Sequence, residues 1–125
     1  MKYILIIILP FLISNKNLTC ADFHSGTFEL PSVDGSTHRI VRKDNKQTEF
    51  VGKTGLVSEF NIKWLNDCKY LLYNRRVIKG KDEAPEFNKD TLINEIISVT
   101  DNKCIITSIL MGYDQKVEST MTKIK

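Results

Sequence analysis

The sequence lacks the short motifs that mark the common enzyme families. It has no GxSxG, GxxxxGK[ST] or GxGxxG pattern, so nothing in it indicates a hydrolase, a nucleotide-binding protein or a dinucleotide-binding protein. It contains two histidines and no CxxC or HxxxH pair of the kind that supplies zinc ligands. We therefore predict no catalytic residue, no metal site and no cofactor, and we expect the protein not to be an enzyme.

The chain also lacks a concentrated charge of one sign. It has 18 Lys and Arg residues against 15 Asp and Glu residues, and the first 19 residues contain two lysines and no acid. The remainder thus has 16 basic and 15 acidic residues, a net charge of +1. Arg39, Arg42 and Lys43 form a small basic cluster, which we interpret as solvated strand surface. Nucleic-acid binding needs a basic stripe, so we expect no nucleic-acid partner.

A hydrophobic run long enough to cross a membrane is missing too. Met1-Lys2 precedes the apolar run Tyr3 to Ile13, which is typical of a signal peptide and shorter than the roughly 20 residues of a transmembrane helix. We predict a signal peptide over 1–19, with the cut between 14 and 21, and a single β domain over 20–125. This predicts a secreted or periplasmic protein of the cell envelope.

Cleavage before Cys20 as a lipoprotein is an alternative to ordinary secretion. A lipobox would have Leu three positions upstream of the cysteine and a small residue just before it. The sequence has Asn17-Leu18-Thr19 instead, which is a poor match. We therefore expect no lipid anchor at Cys20.

Alternating polar and apolar residues are what the sequence does contain, most clearly around its one tryptophan. Phe60, Ile62 and Trp64 alternate with polar residues, and a second alternating stretch follows the turn-forming pair Asn66-Asp67. Residues opposite each other in an antiparallel pair face the same side of the sheet. A three-residue loop, Leu65 to Asp67, keeps the apolar faces together, so we predict these pairs: Trp64 with Cys68, Ile62 with Tyr70, and Phe60 with Leu72.

Similar stretches recur along the chain and predict about eight short strands. A two-residue turn at Asp101-Asn102 would align Val99 with Cys104 and Ile97 with Ile106. The polar passage 74–91 is predicted to be an exposed loop. The fold class is therefore all-β, an antiparallel up-and-down meander that forms a small lipocalin-like barrel or half-barrel.

Three cysteines leave one unpaired if a disulfide forms. Export favours pairing, because disulfides persist in oxidising compartments. In a meander the start of the first strand and the turns before Cys68 and Cys104 lie at the same end of the sheet. The topology therefore permits Cys20 with Cys68, Cys68 with Cys104, or Cys20 with Cys104.

Several segments spread over the mature chain resemble a known group of proteins. The segments are Cys20-Ala-Asp-Phe-His-Ser-Gly-Thr-Phe28, Ile40 with Arg42, Gln47 with Glu49, Trp64-x-x-x-Cys68-x-Tyr70-x-Leu72, and a basic C-terminal strand. Together they resemble small exported proteins of Bacteroidota-type bacteria, some of which carry the label DNA topoisomerase IV. The resemblance implies pairing of Cys20 with Cys68. The topoisomerase label has no support, since those enzymes are large, cytoplasmic and have a catalytic Tyr domain.

The start of the first strand, Gly26-Thr-Phe28, is similar to the Gly-x-Trp of the lipocalin superfamily. We expect an apolar set to line one interior face of the sheet: Phe28, Phe60, Ile62, Trp64, Tyr70 and Leu72. If this face is packed, the domain has a structural or protein-interaction role with an unknown envelope protein. If it encloses space, the domain is a carrier of a small apolar ligand.

Overall fold

A computed structural model describes residues 17–32 and 34–125. These residues form eight antiparallel strands, each paired with the next, and the first strand pairs with the last to close a barrel. The all-β meander predicted from the sequence is confirmed, and it is a closed barrel rather than a half-barrel. The strands are β1 (Gly26–Pro31), β2 (Thr37–Lys43), β3 (Lys46–Val51), β4 (Val57–Trp64), β5 (Lys69–Lys79), β6 (Leu92–Thr100), β7 (Lys103–Leu110) and β8 (Lys116–Lys123).

Two short 3₁₀ segments accompany the barrel, at Cys20–Phe23 and Pro85–Phe87. No helix in the described residues is long and apolar enough to cross a membrane. The predicted signal peptide lies outside the described residues for most of its length, since 1–16 are not described.

The two ends of the barrel differ. At one end, which we call the closed end, the strands are joined by tight turns at 44–45, 65–68 and 101–102, and the first 3₁₀ segment lies there. At the other end, which we call the mouth, the connections are longer. The longest of them runs over 80–91.

The first 3₁₀ segment covers the closed end. Its start is fixed by a capping interaction in which the Asp22 carboxylate accepts a hydrogen bond from the Thr19 backbone over 2.7 Å. Its last residue, Phe23, is fully buried and stacks on Phe28 with ring centroids 5.7 Å apart. Lys123 donates hydrogen bonds to the Asp22 and Ser25 carbonyls, so the C-terminal strand holds the segment in place.

The core occupies the closed half of the barrel. Inward-facing side chains alternate with outward-facing ones along the strands, except at the bulges, as the strand period of two requires. The buried apolar residues are Phe23, Phe28, Ile40, Phe60, Ile62, Tyr70, Leu72, Ile96, Cys104, Ile106 and Met121.

The predicted register of the β4–β5 hairpin is wrong by two residues. Trp64 pairs with Tyr70 instead of Cys68, and Ile62 pairs with Leu72. The closing hydrogen bond runs from the Leu65 backbone N–H to the Lys69 carbonyl over 2.8 Å, so Cys68 lies in the turn. A shift of two keeps every side chain on its predicted face, which is why polarity alone could not detect it.

The same hairpin extends further than predicted. The passage 74–91 was expected to be loop, yet β5 continues to Lys79 and pairs Arg76 with Glu59 and Val77 with Ser58. The Arg76 guanidinium donates to the Glu59 carboxylate over 2.8 Å on the outer surface. Cross-strand pairing thus orders residues that look like loop by composition.

The β6–β7 hairpin has the predicted two-residue turn and pairs Val99 with Cys104. Beyond that pair the prediction is wrong, because a bulge between Ile96 and Ser98 adds a residue to β6. Ile106 therefore pairs with Ile96, which is buried, and Ile97 is half-exposed on the outer surface. A bulge changes which side chains face inward, and a run of β-branched residues does not indicate where it falls.

Candidate binding site in the barrel interior

The residues of the predicted interior face lie inside the barrel, except that Trp64 is less deeply buried than the others. Phe28, Phe60, Ile62, Tyr70 and Leu72 are all buried. Trp64 is only partly buried, at the closed end, where it packs on the edge of the core. Its ring stacks on His24 with centroids 3.5 Å apart, and the His24 Nε2 lies 2.7 Å from the Asp67 carbonyl oxygen. Trp64 therefore holds the N-terminal segment and is not among the residues that line the interior cavity.

The cysteines adopt one of the three pairings that the topology permits. Cys20 and Cys68 form a disulfide that joins the first 3₁₀ segment to the β4–β5 turn. Cys104 is unpaired and buried among core residues, with 1% of its surface exposed. Burial raises the pKa of its thiol to about 11. The disulfide uses the Cys20 sulfur, which a lipid anchor would also need.

Arg42 overturns the interpretation of the basic cluster on β2 as solvated surface. Arg39 and Lys43 are exposed, but Arg42 is 2% exposed and points into the barrel. The reason is the strand period, since Arg42 alternates with Arg39 and shares the inner face with Ile40. The charge of Arg42 suggested a surface position, but the alternation of side chains along β2 directs it into the barrel.

The burial of Arg42 is compensated by hydrogen bonds, because each of its three guanidinium nitrogens donates one. Its guanidinium donates to the Phe23 carbonyl over 2.8 Å, to the Tyr70 hydroxyl over 2.7 Å and to the Gln47 side-chain oxygen over 2.8 Å. It also lies over the ring of Tyr70, with its central carbon 4.5 Å from the centroid. A buried charge is tolerated when it is hydrogen-bonded in this way. Arg42 thereby links the covering segment to the barrel wall.

Gln47 extends this network towards the mouth. Because its oxygen accepts from Arg42, its amide N–H faces Glu49 and donates to the carboxylate oxygen Oε1 over 2.9 Å. Burial raises the pKa of Glu49, and the Gln47 hydrogen bond and the charges of His38, Arg42 and Arg75 oppose that rise. The result is a carboxyl group inside the barrel with a strengthened tendency to hold a proton.

An interior cavity of about 100 Å³ borders Glu49. In the described residues every fully buried side-chain nitrogen or oxygen has a hydrogen-bond partner. No described residue hydrogen-bonds Oε2 of Glu49, so this atom has accessible surface, and Glu49 is one of the residues that line the cavity. The cavity is lined by Leu30, Ile40, Arg42, Gln47, Glu49, Tyr70, Leu72, Leu92, Asn94, Ile106, Ser108, Ser119 and Met121.

The far wall of the cavity is neutral and polar. Ser108 donates a hydrogen bond to the Asn94 side-chain oxygen over 2.6 Å, and the Asn94 amide donates to the Leu92 carbonyl over 3.2 Å. Ser119 lies next along the wall, on β8. These groups can accept or donate hydrogen bonds without adding a charge.

The mouth above the cavity is apolar. One pocket of about 400 Å³ is lined by Leu92, Leu110, Tyr113 and Val117 together with Ser108 and Gln115. A second, of about 280 Å³, lies under the 80–91 loop and is lined by Phe60, Phe87, Leu92 and Leu110 together with Arg75 and Asp90. Leu92 borders both pockets and the interior cavity, so the three spaces adjoin one another.

The 80–91 loop is held beside the mouth by one polar cluster. The Arg75 guanidinium donates to both carboxylate oxygens of Asp82, over 3.1 and 3.2 Å, and to the Asn88 side-chain oxygen over 2.6 Å. Desolvation would raise the pKa of Asp82, but hydrogen bonds from the Ala84 backbone, Arg75 and Asn88 outweigh it and lower that pKa. The cluster therefore keeps Phe87 next to the apolar mouth.

The described residues contain no group of three or more His, Cys, Asp and Glu side chains that could hold a metal ion. No protein-family model matches the chain, and neither a curated protein nor a solved structure is significantly similar to it. Sequence reasoning identified the aromatic lining but missed Arg42, Gln47 and Glu49 as inner residues. The spacing of these residues could have indicated their position, since residues 40 and 42 on β2 and 47 and 49 on β3 share the inner face once the β2–β3 register is known.

Proposed function

We propose that the protein is an extracytoplasmic binding protein that holds a small amphipathic ligand in the mouth half of its barrel. The observation that carries the proposal is the division of the interior. The closed half is packed with aromatic and aliphatic side chains, while a partly open cavity lined by both polar and apolar side chains lies beneath the apolar mouth. Binding sites in small barrels have this form, an apolar cleft with a few placed polar groups.

The shape of the site favours a short ligand. The interior cavity of about 100 Å³ has room for a head group, and the adjoining mouth pockets have room for an apolar body. Burying that body against Leu92, Leu110 and Val117 supplies the free energy of binding, at roughly 25 cal/mol per Å² of apolar surface. Apart from the head group, the ligand needs no specific polar partner.

The proposed location rests on the disulfide. Disulfides between cysteines such as Cys20 and Cys68 persist in secreted and periplasmic proteins and are rare in reducing compartments. This supports a signal peptide over 1–19 and a secreted or periplasmic protein. A barrel in such a compartment would encounter small amphiphiles from outside the cell.

Native mass spectrometry of the protein purified from its own host tests the proposal. A co-purifying small molecule that is released on unfolding supports it, and a bare mass together with no uptake of alkyl probes contradicts it. Ser119→Leu should abolish uptake by filling the cavity. Thr120→Leu is the matched control, because Thr120 is the next residue on β8 and is exposed.

A protein-interaction role is the second candidate, and exposed apolar residues favour it. Met111, Tyr113 and Val117 are each more than half exposed around the β7–β8 turn at the mouth. A partner would cover this turn and leave the cavity unused. Tyr113→Ser should then weaken partner capture from an envelope extract while Ser119→Leu leaves capture unchanged. The opposite pattern supports the carrier.

A further inference from the structure

The carboxyl group in the cavity lining indicates which chemical class of head group the ligand would have. Among the described residues that border the cavity, Glu49 is the only acid, and its Oε2 has accessible surface and no hydrogen-bond partner. The neighbouring wall groups, Asn94, Ser108 and Ser119, are neutral. A ligand head group that reaches the cavity therefore meets a carboxyl group among hydroxyls and an amide.

Arg42, the cation that also lines the cavity, does not provide a binding site for an anionic head group. Arg42 donates hydrogen bonds to the Phe23 carbonyl, the Tyr70 hydroxyl and Gln47. The Arg42–Gln47 pair is two residues further from the mouth along β2 than the Ile40–Glu49 pair, so Arg42 lies below Glu49, towards the closed end. A ligand entering from the mouth thus reaches Glu49 first. An anionic head group would have to displace bonds that hold the covering segment.

The other charged groups that face Glu49 are also accounted for. His38 and Arg42 lie on β2, and Arg75 lies on β5. Arg75 is paired with Asp82 and donates to Asn88, so most of its charge is balanced locally. Tyr70 accepts a hydrogen bond from Arg42 and is neutral. Glu49 is therefore the acid of the cavity lining with which an entering cation can pair, and His38 on β2 is a further charge acting on it.

We propose that the ligand is a short-chain amphipathic amine whose ammonium group pairs with the Glu49 carboxylate in the cavity while its alkyl chain lies in the apolar mouth. This inference rests on the proposed carrier function and specifies its substrate class. An ammonium donates up to three hydrogen bonds, and the acceptors that line the cavity include the Glu49 carboxylate and the Ser108 and Ser119 hydroxyl oxygens. A carboxylate enclosed by protein is stabilised when a cation pairs with it.

The inference predicts a proton coupling. Burial raises the pKa of Glu49, so the empty site holds a proton more readily than a solvated glutamate does. An alkylammonium, with a pKa near that of lysine at about 10.4, stays charged and binds the ionised form. At a pH below the pKa of Glu49, binding therefore releases a proton from Glu49, and the affinity rises as the pH increases through that pKa.

Three probes of one chain length test the inference by calorimetry on the purified protein: octylamine, octanol and octanoate. Octylammonium should bind about 10-fold or more tightly than octanol, as expected for a charge-assisted hydrogen bond. Its measured heat should differ between buffers of different ionisation enthalpy because of the released proton. Glu49→Gln should remove the advantage of the ammonium over octanol. Glu118→Gln, at an exposed position on β8, should change neither.

The outcomes separate this inference from the carrier function. If octanol binds and octylammonium has no advantage, or if octanoate binds more tightly than both, the amine inference is overturned and the carrier function stands. If none of the three probes binds, both are overturned. If Glu49→Gln fails to fold, the comparison of the three probes on the unmodified protein decides the matter.

Discussion

The side-chain amide of Gln47 donates a hydrogen bond to the Glu49 carboxylate over 2.9 Å. Its oxygen accepts from Arg42, and Arg42 also donates to the Phe23 carbonyl of the covering segment. A continuous chain of hydrogen bonds thus runs from the closed end of the barrel to the cavity. In a low-dielectric interior a polar group without a hydrogen-bond partner is costly, so each group in the chain depends on the hydrogen bonds of its neighbours.

Gln47→Leu should destabilise the fold, because it removes a hydrogen-bond partner from both Arg42 and Glu49 without removing either ionisable group. We expect a loss of about 2–4 kcal/mol in the free energy of unfolding, measured by urea denaturation. Thr48→Val is the matched control on the outer face of the same strand and should change stability by less than about 0.5 kcal/mol. Equal effects of the two substitutions would contradict the network.

Glu49→Gln should make the fold less sensitive to alkaline conditions. Because burial raises the pKa of Glu49 in the folded protein, the folded state binds more protons than the unfolded chain between the two pKa values. The stability due to this group is present below the unfolded pKa and is lost as the pH rises through the folded one. Urea midpoints should therefore favour the variant above that range and converge with the unmodified protein in acid. A difference that grows in acid would contradict the assignment.

The fold could be predicted because its signals are local. Alternation in segments such as 59–64 indicates a strand, and turn residues such as Asp101-Asn102 mark where a hairpin closes. Antiparallel pairing of successive strands follows from short connections. Closure of the barrel needs β1 to pair with β8, and no local pattern carries that pairing.

The candidate site could not be predicted because it depends on register. Arg42 belongs to a basic cluster by sequence, and only the pairing of Arg42 with Gln47 and of Ile40 with Glu49 places all four on the inner face. The bulge at Ile97 and the two-residue shift of Trp64 show the same limit. Both are decided by tertiary packing, and the disulfide that holds Cys68 in its turn contributes to the second.

Loss of the disulfide should lower stability substantially. The bond joins residues separated by 48 positions, and closing a loop of that length restricts the unfolded chain by about 4 kcal/mol in the chain-entropy model. Cys68→Ala should lower the urea midpoint and make it insensitive to dithiothreitol. Cys104→Ala, the control, should retain the sensitivity to dithiothreitol, although it has its own packing cost of about 1 kcal/mol.

Cys104 should be inert in the folded protein. Its thiol is buried and its pKa is raised to about 11, so little thiolate is present at pH 8 and reagents cannot reach it. We expect no modification by iodoacetamide at pH 8 without denaturant and complete modification in urea, measured by intact mass. Rapid labelling of the native protein would show that the closed half of the barrel opens.

Asp82→Ala should release the 80–91 loop without unfolding the barrel. Asp82 accepts from Arg75, Asn88 and the Ala84 backbone, and these bonds position Phe87 beside the mouth. Because partly exposed ion pairs contribute little, the urea midpoint should change little. Limited proteolysis should nevertheless cut the loop faster, whereas Glu83→Ala, at the next and exposed position, should leave the rate unchanged.

Acid should reproduce the faster cleavage in the unmodified protein. Because the pKa of Asp82 is lowered in the folded state, the anchor is present above the pKa that Asp82 has in the unfolded chain, and it is lost as the pH falls through the pKa of the folded state. Cleavage at equal rates in all three proteins would show that the loop is held by other contacts.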